Sequence, residues 1–246
     1  MRGLITLDFG NTHATAGVFS LGPNPALIKK IPLSELQIFL SQLGMSAHNS
    51  QLVLSDVKPR EEELQPLLES GFLLTRVKDY WRGKKFHGMN VNYTETLGED
   101  RLISAFYAYK KLKANVLVID AGTFVTMDVV TTNGFEGGYI IPGIETYLST
   151  YQRGENLKNF SLTPAKEHAL PHDSETAMAG SYSAFAALAR KLIQEHQIQK
   201  VLITGGASSL WEKLLGELNL PSVVETHPDL IHSALLYWMT TQIEPL

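Results

Sequence analysis

The chain has 246 residues, 44% hydrophobic and 19% charged, which is the composition of a folded globular protein rather than a disordered one, and its length suits either one large domain or two similar halves. A formal net charge of −4 supplies no basic stripe for a phosphate backbone, so nucleic acid is not an expected partner. The absence of cysteine excludes disulfides, thiolate zinc sites and a cysteine nucleophile, which leaves oxygen and nitrogen ligands for any chemistry.

The opening MRGLITLDFGNT lacks an apolar stretch with a small-residue cleavage site. No run approaches the roughly 18 apolar residues of a membrane helix, so a cytoplasmic location without membrane attachment is expected. Leu4 to Leu7 is the first apolar run; it ends at Asp8 and a Gly10-Asn11-Thr12 turn, and Ala16 to Phe19 resumes an extended pattern. That predicts strand, turn, strand. Arg101 to Lys113 places Leu102, Ala105, Phe106, Tyr109 and Leu112 at three- and four-residue spacing, the mark of an amphipathic helix. A stronger run, Val116 to Ile119, stops at Asp120 and Ala121-Gly122-Thr123, then continues from Phe124 to Val130 until Asn133-Gly134 marks the next turn. Beyond Pro142-Gly143, the pattern predicts a helix over Glu175 to Ile193, a strand over Val201 to Ile203, and the turn Thr204-Gly205-Gly206-Ala207.

The turns Asp8-Phe9-Gly10-Asn11-Thr12 and Asp120-Ala121-Gly122-Thr123 repeat one local pattern about half a chain apart, as duplicated domains would. The expected division is an N-terminal half over 1–114 and a C-terminal half over 115–246, each α/β because strands alternate with helices. A cleft between the halves is the natural ligand site on this reading.

A strand ending in Asp, followed by a Gly-containing turn with hydroxyl residues, offers backbone N–H groups and hydroxyls to phosphate oxygens, while the carboxylate suits a cation. Either copy alone is most simply a hairpin turn; two copies after apolar strands favour phosphate binding. Thr204-Gly205-Gly206 would allow a nucleotide to approach the backbone closely, although a plain turn is the simpler account of two glycines. Neither a P-loop nor a dinucleotide-binding glycine fingerprint is present. Gly98-Glu99-Asp100-Arg101 opens the amphipathic helix, where first-turn acids are common, yet Arg101 is misplaced against the helix dipole and suits a bidentate grip on a substrate carboxylate. His168 and His172 stand four apart, but Pro171 breaks the helix that would align them on a metal. Trp81, Trp211 and Trp238 are expected in the core or an interface.

Six motifs in one order, Asp8-x-Gly10-Asn11-Thr12, Leu97-Gly98-x-Asp100-Arg101, Asp120-Ala121-Gly122-Thr123-x-x-Thr126, Gly137-Gly138-x-Ile140-x-Pro142-Gly143, Ser174-Glu175-Thr176-Ala177-Met178-x-Gly180 and Thr204-Gly205-Gly206, resemble the type III pantothenate kinase family across nearly the whole chain. The resemblance implies two duplicated ribonuclease-H-like domains of the actin-like ATPase superfamily, with an interdomain nucleotide cleft. It implies transfer of phosphate from ATP to pantothenate, the first step of coenzyme A synthesis, by a homodimer using Mg²⁺ and a monovalent cation, potassium or ammonium. By the same resemblance Asp8, Phe9, Gly10, Asn11, Thr12, His13, Ala14 and Thr15 form the first phosphate loop, with Asp8 near Mg²⁺, and Thr123 is a second ATP contact. Asp120 resembles the monovalent-cation ligand, and Asp100 the proton acceptor. Gly98, Glu99, Asp100, Arg101 and Thr176 resemble the pantothenate site.

This chain departs from the family pattern at two places. Glu99 replaces a residue that is often small, where its charge would crowd a carboxylate substrate unless it points outward. The Tyr and Pro that members carry seven and four residues before Gly98 are Val91 and Thr94 here; Tyr93, two residues away, either supplies the missing ring or is a half-buried strand tyrosine. The competing readings are a phosphotransferase or phosphohydrolase of the same fold acting on another small hydroxy acid, and a non-catalytic regulatory protein.

Overall fold

The computed structural model describes residues 3–22, 25–57, 60–154 and 170–242. By compactness the chain forms two units: unit 1 comprises Met1–Leu112, Asn133–Phe135 and Asp229–Leu246, and unit 2 comprises Lys113–Thr132 and Glu136–Pro228.

Unit 1 begins with β1 (Gly3–Phe9), β2 (Ala14–Ser20) and β3 (Ala26–Pro32), followed by α1 (Leu36–Gln42), β4 (Ser50–Asp56), α2 (Glu61–Glu69) and β5 (Leu74–Arg76). The sheet order is β3-β2-β1-β4-β5. β1 pairs antiparallel with β2 and parallel with β4, so it lies at the centre and is buried on both faces. This is why Leu4 to Leu7 is a continuous apolar run rather than an alternating one. Ile5, Leu7 and Phe9 pack with Leu36 and Leu40 of α1 and Leu64 and Leu67 of α2; each such burial is worth roughly 1.5–3 kcal/mol. By strand alternation Leu4, Thr6 and Asp8 take the opposite face. Short strands β6 (Lys85–Phe86) and β7 (Met89–Val91) precede α3 (Glu99–Leu112). The two ends of α3 suit its dipole, with Glu99 and Asp100 in the first turn and Lys110 and Lys111 in the last.

Unit 2 is built on β8 (Val116–Ala121), β9 (Phe124–Thr131) and β10 (Gly134–Pro142), then α4 (Ile144–Tyr151), α5 (Ser174–Glu195), β11 (Lys200–Thr204), α6 (Ser208–Gly216) and β12 (Val223–Thr226). The first residues of β10 belong to unit 1, where Gly134 and Phe135 pair in parallel with Asn90 and Val91. The strands from β8 onward lie in the order β10-β9-β8-β11-β12, with β8 antiparallel to β9 and parallel to β11, in a seven-stranded sheet that runs on from β10 to β7 and β6. Taken from its own first strand, each unit therefore has the order third, second, first, fourth, fifth. Leu117, Ile119 and Ala121 pack with Tyr182 and Ala186 of α5 and Trp211 and Leu214 of α6.

The helix predicted over Arg101 to Lys113 is observed over Glu99–Leu112, and the one predicted over Glu175 to Ile193 over Ser174–Glu195. The chain ends its described residues in α7 (Leu230–Gln242), which belongs to unit 1 although it follows unit 2 in sequence. Compactness is thus a different criterion from a single boundary near 114, which stays a statement about duplication. Among the described residues no helix is long and apolar enough to cross a membrane.

Candidate active site

The first Asp-containing turn joins β1 to β2. Asp8 lies opposite Thr15 in the antiparallel register, the Gly10 N–H donates to the His13 carbonyl at 3.0 Å, and Asn11, Thr12 and His13 are exposed. The turn is braced from α2's start, where Arg60 Nη2 donates to the Gly10 carbonyl at 3.3 Å. Hydroxyl, amide and backbone groups are thereby presented beside one half-buried carboxylate.

In unit 2 the corresponding turn joins β8 to β9. The Gly122 N–H donates to the Phe124 carbonyl at 3.1 Å, leaving Gly122 and Thr123 exposed. The Thr123 carbonyl accepts from the Gly143 N–H at 2.9 Å and from Thr146 Oγ1 at 2.7 Å, so the Pro142-Gly143 motif fastens this turn. A side chain on Gly143 would run into the Gly122 carbonyl. The Thr204-Gly205 turn meets it from the other side: Thr204 is in register with Asp120, and the Ala207 N–H donates to the Ala121 carbonyl at 2.9 Å. Gly205 has φ +89°, and a Cβ there would come within 2.6 Å of both Ala121 backbone atoms and Asp120 Oδ1. Gly205 is therefore demanded by its conformation and by the close approach of the second turn, whereas Gly206 faces open space.

The third feature is the N-terminus of α3. Asp100 is half-buried and folds back so that Oδ1 accepts from the Arg101 N–H at 2.8 Å. Gly98 makes room for this, because a side chain there would collide with Asp100 Oδ1. Burial raises the Asp100 carboxyl above the ordinary carboxylate range, partly opposed by the Arg101 N–H and the Arg101 charge. Arg101 is only 6% exposed, with its guanidinium 5.0 Å from the Tyr93 ring centre, 5.8 Å from that of Phe135, and Nη1 3.4 Å from the Tyr93 hydroxyl. Tyr93 lies in a bend after β7, not in a strand, and lines a hollow of about 490 Å³ with Lys84, Val91, Asn92, Thr94 and Thr96.

The end of β4 links the first and third features. The Val57 N–H donates to the Phe9 carbonyl at 3.0 Å, and Val57 Cγ2 lies 3.9 Å from where a Gly98 Cβ would stand. Glu99 does not point outward. It is 6% exposed, its Oε2 is buried with no hydrogen-bond partner, and the backbone N–H groups of Asp56 and Lys78 partly offset the cost of burying the carboxyl. Sequence reading missed Asp56, Lys78 and this role for Glu99, because nothing in their spacing marks them as neighbours.

Burial pushes the Glu99 carboxyl up to about 7 from 4.5, against the Lys78 charge. Between those values the folded chain holds a proton that the unfolded chain releases, so stability falls as pH rises through that window. Glu99→Gln, which has no charge to bury, should therefore lose less thermal stability than the wild type between pH 5 and pH 8. The difference should be on the order of 1–3 kcal/mol, measured by thermal unfolding at both pH values. Equal pH dependence in the two proteins would show that Glu99 ionises freely in the folded state.

Thr176 stands in the first turn of α5. Its N–H donates to Asp173 Oδ1 at 2.9 Å and its hydroxyl to Asp173 Oδ2 at 2.8 Å, so Asp173 caps the helix through it. His172 is an exposed loop residue and His168 lies outside the described residues. Trp211 and Trp238 are fully buried, and Trp81 is half-buried. Among the described residues no three His, Asp or Glu side chains gather as metal ligands. The donors at Asp8 and Asp120 are hard oxygens, fitting an ion held by one carboxylate together with backbone or phosphate oxygens and water.

These sheets and turns define an α/β protein built on two mixed sheets of one repeated strand order, a fold shared with solved structures described as kinases. A solved structure of the same fold, described provisionally as a 2-dehydro-3-deoxygalactonokinase from Sinorhizobium meliloti, superposes with TM-score 0.61 at 12% identity, covering 99% of this chain and 100% of that one. Another, described provisionally as a Baf family transcriptional activator from Campylobacter jejuni, gives 0.62 at 17% identity over 96% and 97%. The sequence model of the type III pantothenate kinase family matches residues 4–195, and the chain belongs to that family. A type III pantothenate kinase of Desulfosudis oleivorans is 26% identical over 231 residues, which is 84% of this chain and 89% of the relative.

Proposed function

We propose that this protein transfers the γ-phosphoryl group of ATP to the terminal hydroxyl of pantothenate, giving 4′-phosphopantothenate and ADP in the first step of coenzyme A synthesis. The observation that carries the reading, beside family membership, is the α3 N-terminus, where a carboxyl of raised pKa adjoins a buried arginine whose guanidinium packs on Tyr93, and Tyr93 in turn lines an open hollow. Asp100 accepts the hydroxyl proton as the oxygen attacks the γ-phosphorus and the bond to the β,γ-bridging oxygen breaks. Arg101 and Tyr93 orient the substrate carboxylate and amide, with Gly98 and Glu99 shaping the wall and Thr176 a further contact. The Asp8 to Thr15 turn takes phosphate oxygens through its N–H groups and the Thr12 hydroxyl, and Thr123 does so from the second turn. Mg²⁺ at Asp8 and a potassium or ammonium ion at Asp120 supply neutralisation of phosphate charge when bound. We further infer a cytoplasmic homodimer.

Incubating the purified protein with pantothenate, Mg-ATP and either potassium or sodium tests substrate, reaction and ion together. A product of the mass of phosphopantothenate, formed faster with potassium, is the expected result. Preferential phosphorylation of a different hydroxy acid in the same assay would overturn the substrate, and the absence of any ATP-dependent product would overturn the activity.

A further inference from the structure

Beneath the first turn lies a buried hydrogen-bonded chain that the reaction scheme above does not use. His232, the third residue of α7, is 1% exposed and faces β1 and β2. Its Nδ1 is 2.8 Å from Thr6 Oγ1 and its Nε2 is 3.0 Å from Thr15 Oγ1. Thr6 is fully buried, and its hydroxyl donates to the Gly17 carbonyl at 3.2 Å. A hydroxyl has one proton to give, so toward the imidazole Thr6 accepts, and Nδ1 carries hydrogen. Burial holds the ring pKa down to about 3; the nearest charges, Lys30 and Asp229, act in opposite senses and pair with each other at 3.2 Å. The ring is thus neutral and Nε2 bare, and the Thr15 hydroxyl donates to it. Gly17 provides the opening, since a Cβ there would stand 2.6 Å from Thr6 Oγ1 and 3.0 Å from the imidazole.

Thr15 is the register partner of Asp8 at the base of the turn. One neutral imidazole therefore ties the two strands together where they leave the sheet. We propose that His232 is a positioning residue for ATP, clamping the first phosphate turn through Thr15, and that Thr15 spends its hydroxyl proton on His232 and not on a phosphate oxygen. This rests on the reading of that turn as a phosphate loop.

His232→Asn keeps a donor near the Nδ1 position for Thr6 but cannot reach Thr15, and Thr15→Val removes the other end of the same link. Each loses one hydrogen bond and leaves its partner group unsatisfied, so each should weaken Mg-ADP binding and raise the KM for ATP by about 5- to 30-fold. In His232→Asn, kcat at saturating ATP and the KM for pantothenate should move less than about twofold, a split that general loosening of the fold would not give. Combining the two should be no worse than the poorer single variant, because both cut one link. Thr15→Ser should recover most of the affinity lost in Thr15→Val. An additional loss from Thr15→Val in the His232→Asn background would make Thr15 a direct phosphate ligand and overturn the clamp. Lowered melting temperature with unchanged nucleotide affinity would overturn it as well. If His232→Asn does not fold, His232→Leu takes its place in the same double-variant comparison with Thr15→Val, and the presence or absence of an additional loss decides. Calorimetry with Mg-ADP separates this from the substrate assignment: a wild type that binds Mg-ADP but leaves pantothenate untouched sinks the latter alone, and one that binds no nucleotide sinks both.

Discussion

Asp100→Asn should lower kcat by about 10²- to 10⁴-fold, the range a placed general base contributes, while Mg-ADP affinity stays within a few-fold of wild type. The substitution is well isolated structurally. Asparagine keeps the oxygen that accepts from the Arg101 N–H and the shape that Gly98 makes room for, so α3 should begin as before and the melting temperature should scarcely change. What is lost is the ability to take a proton. The pH profile supplies a second signature. Because burial raises the Asp100 pKa, the acid limb of wild-type kcat/KM should fall above the ordinary carboxylate range, and that limb should vanish in Asp100→Asn. Near-normal turnover in the variant would reduce Asp100 to a first-turn acid of α3.

How much of this was legible in the sequence depended on whether a residue's role is set by its own strand or by a distant one. β1, β2, β8 and β9 were legible because central strands read as unbroken apolar runs, and the Asp and Gly that end them break the pattern sharply. β3 was not, because all of Ala26–Pro32 except Ile31 is exposed and no alternation survives. The two-residue β6 and three-residue β7 are too short to carry a period. α7 has buried residues around much of its circumference, including Leu230, His232, Ala234, Leu235, Trp238 and Met239. Such a pattern announces burial without saying against which sheet, so the membership of α7 in unit 1 and the pairing of His232 with Thr6 and Thr15 had no local signal. Glu99 shows the same limit at one position: its neighbour Asp100 followed from a motif, but its own inward direction depended on Asp56 and Lys78, which are remote in sequence.

Arg101→Lys should raise the KM for pantothenate by about 30- to 150-fold, equivalent to roughly 2–3 kcal/mol, with the KM for ATP little altered. The substitution preserves charge, so a large effect isolates geometry. Arg101 lies almost wholly buried, with its guanidinium carbon 5.0 Å from the ring centre of Tyr93 and 5.8 Å from that of Phe135, surroundings that suit a flat, weakly hydrated guanidinium, whose fork is the shape that matches a carboxylate. An ammonium group is a compact, strongly hydrated charge with no fork, and its burial there costs more and returns less. If the arginine served only to pack α3 against β7, lysine would lower the melting temperature and leave the pantothenate KM near its wild-type value. The companion measurement is Tyr93→Phe, which keeps the ring under the guanidinium and removes only the hydroxyl at 3.4 Å. At that length the bond is weak, so this variant should shift the pantothenate KM by no more than about threefold. A loss from Tyr93→Phe as large as that from Arg101→Lys would move the recognition of substrate from the guanidinium to the phenol.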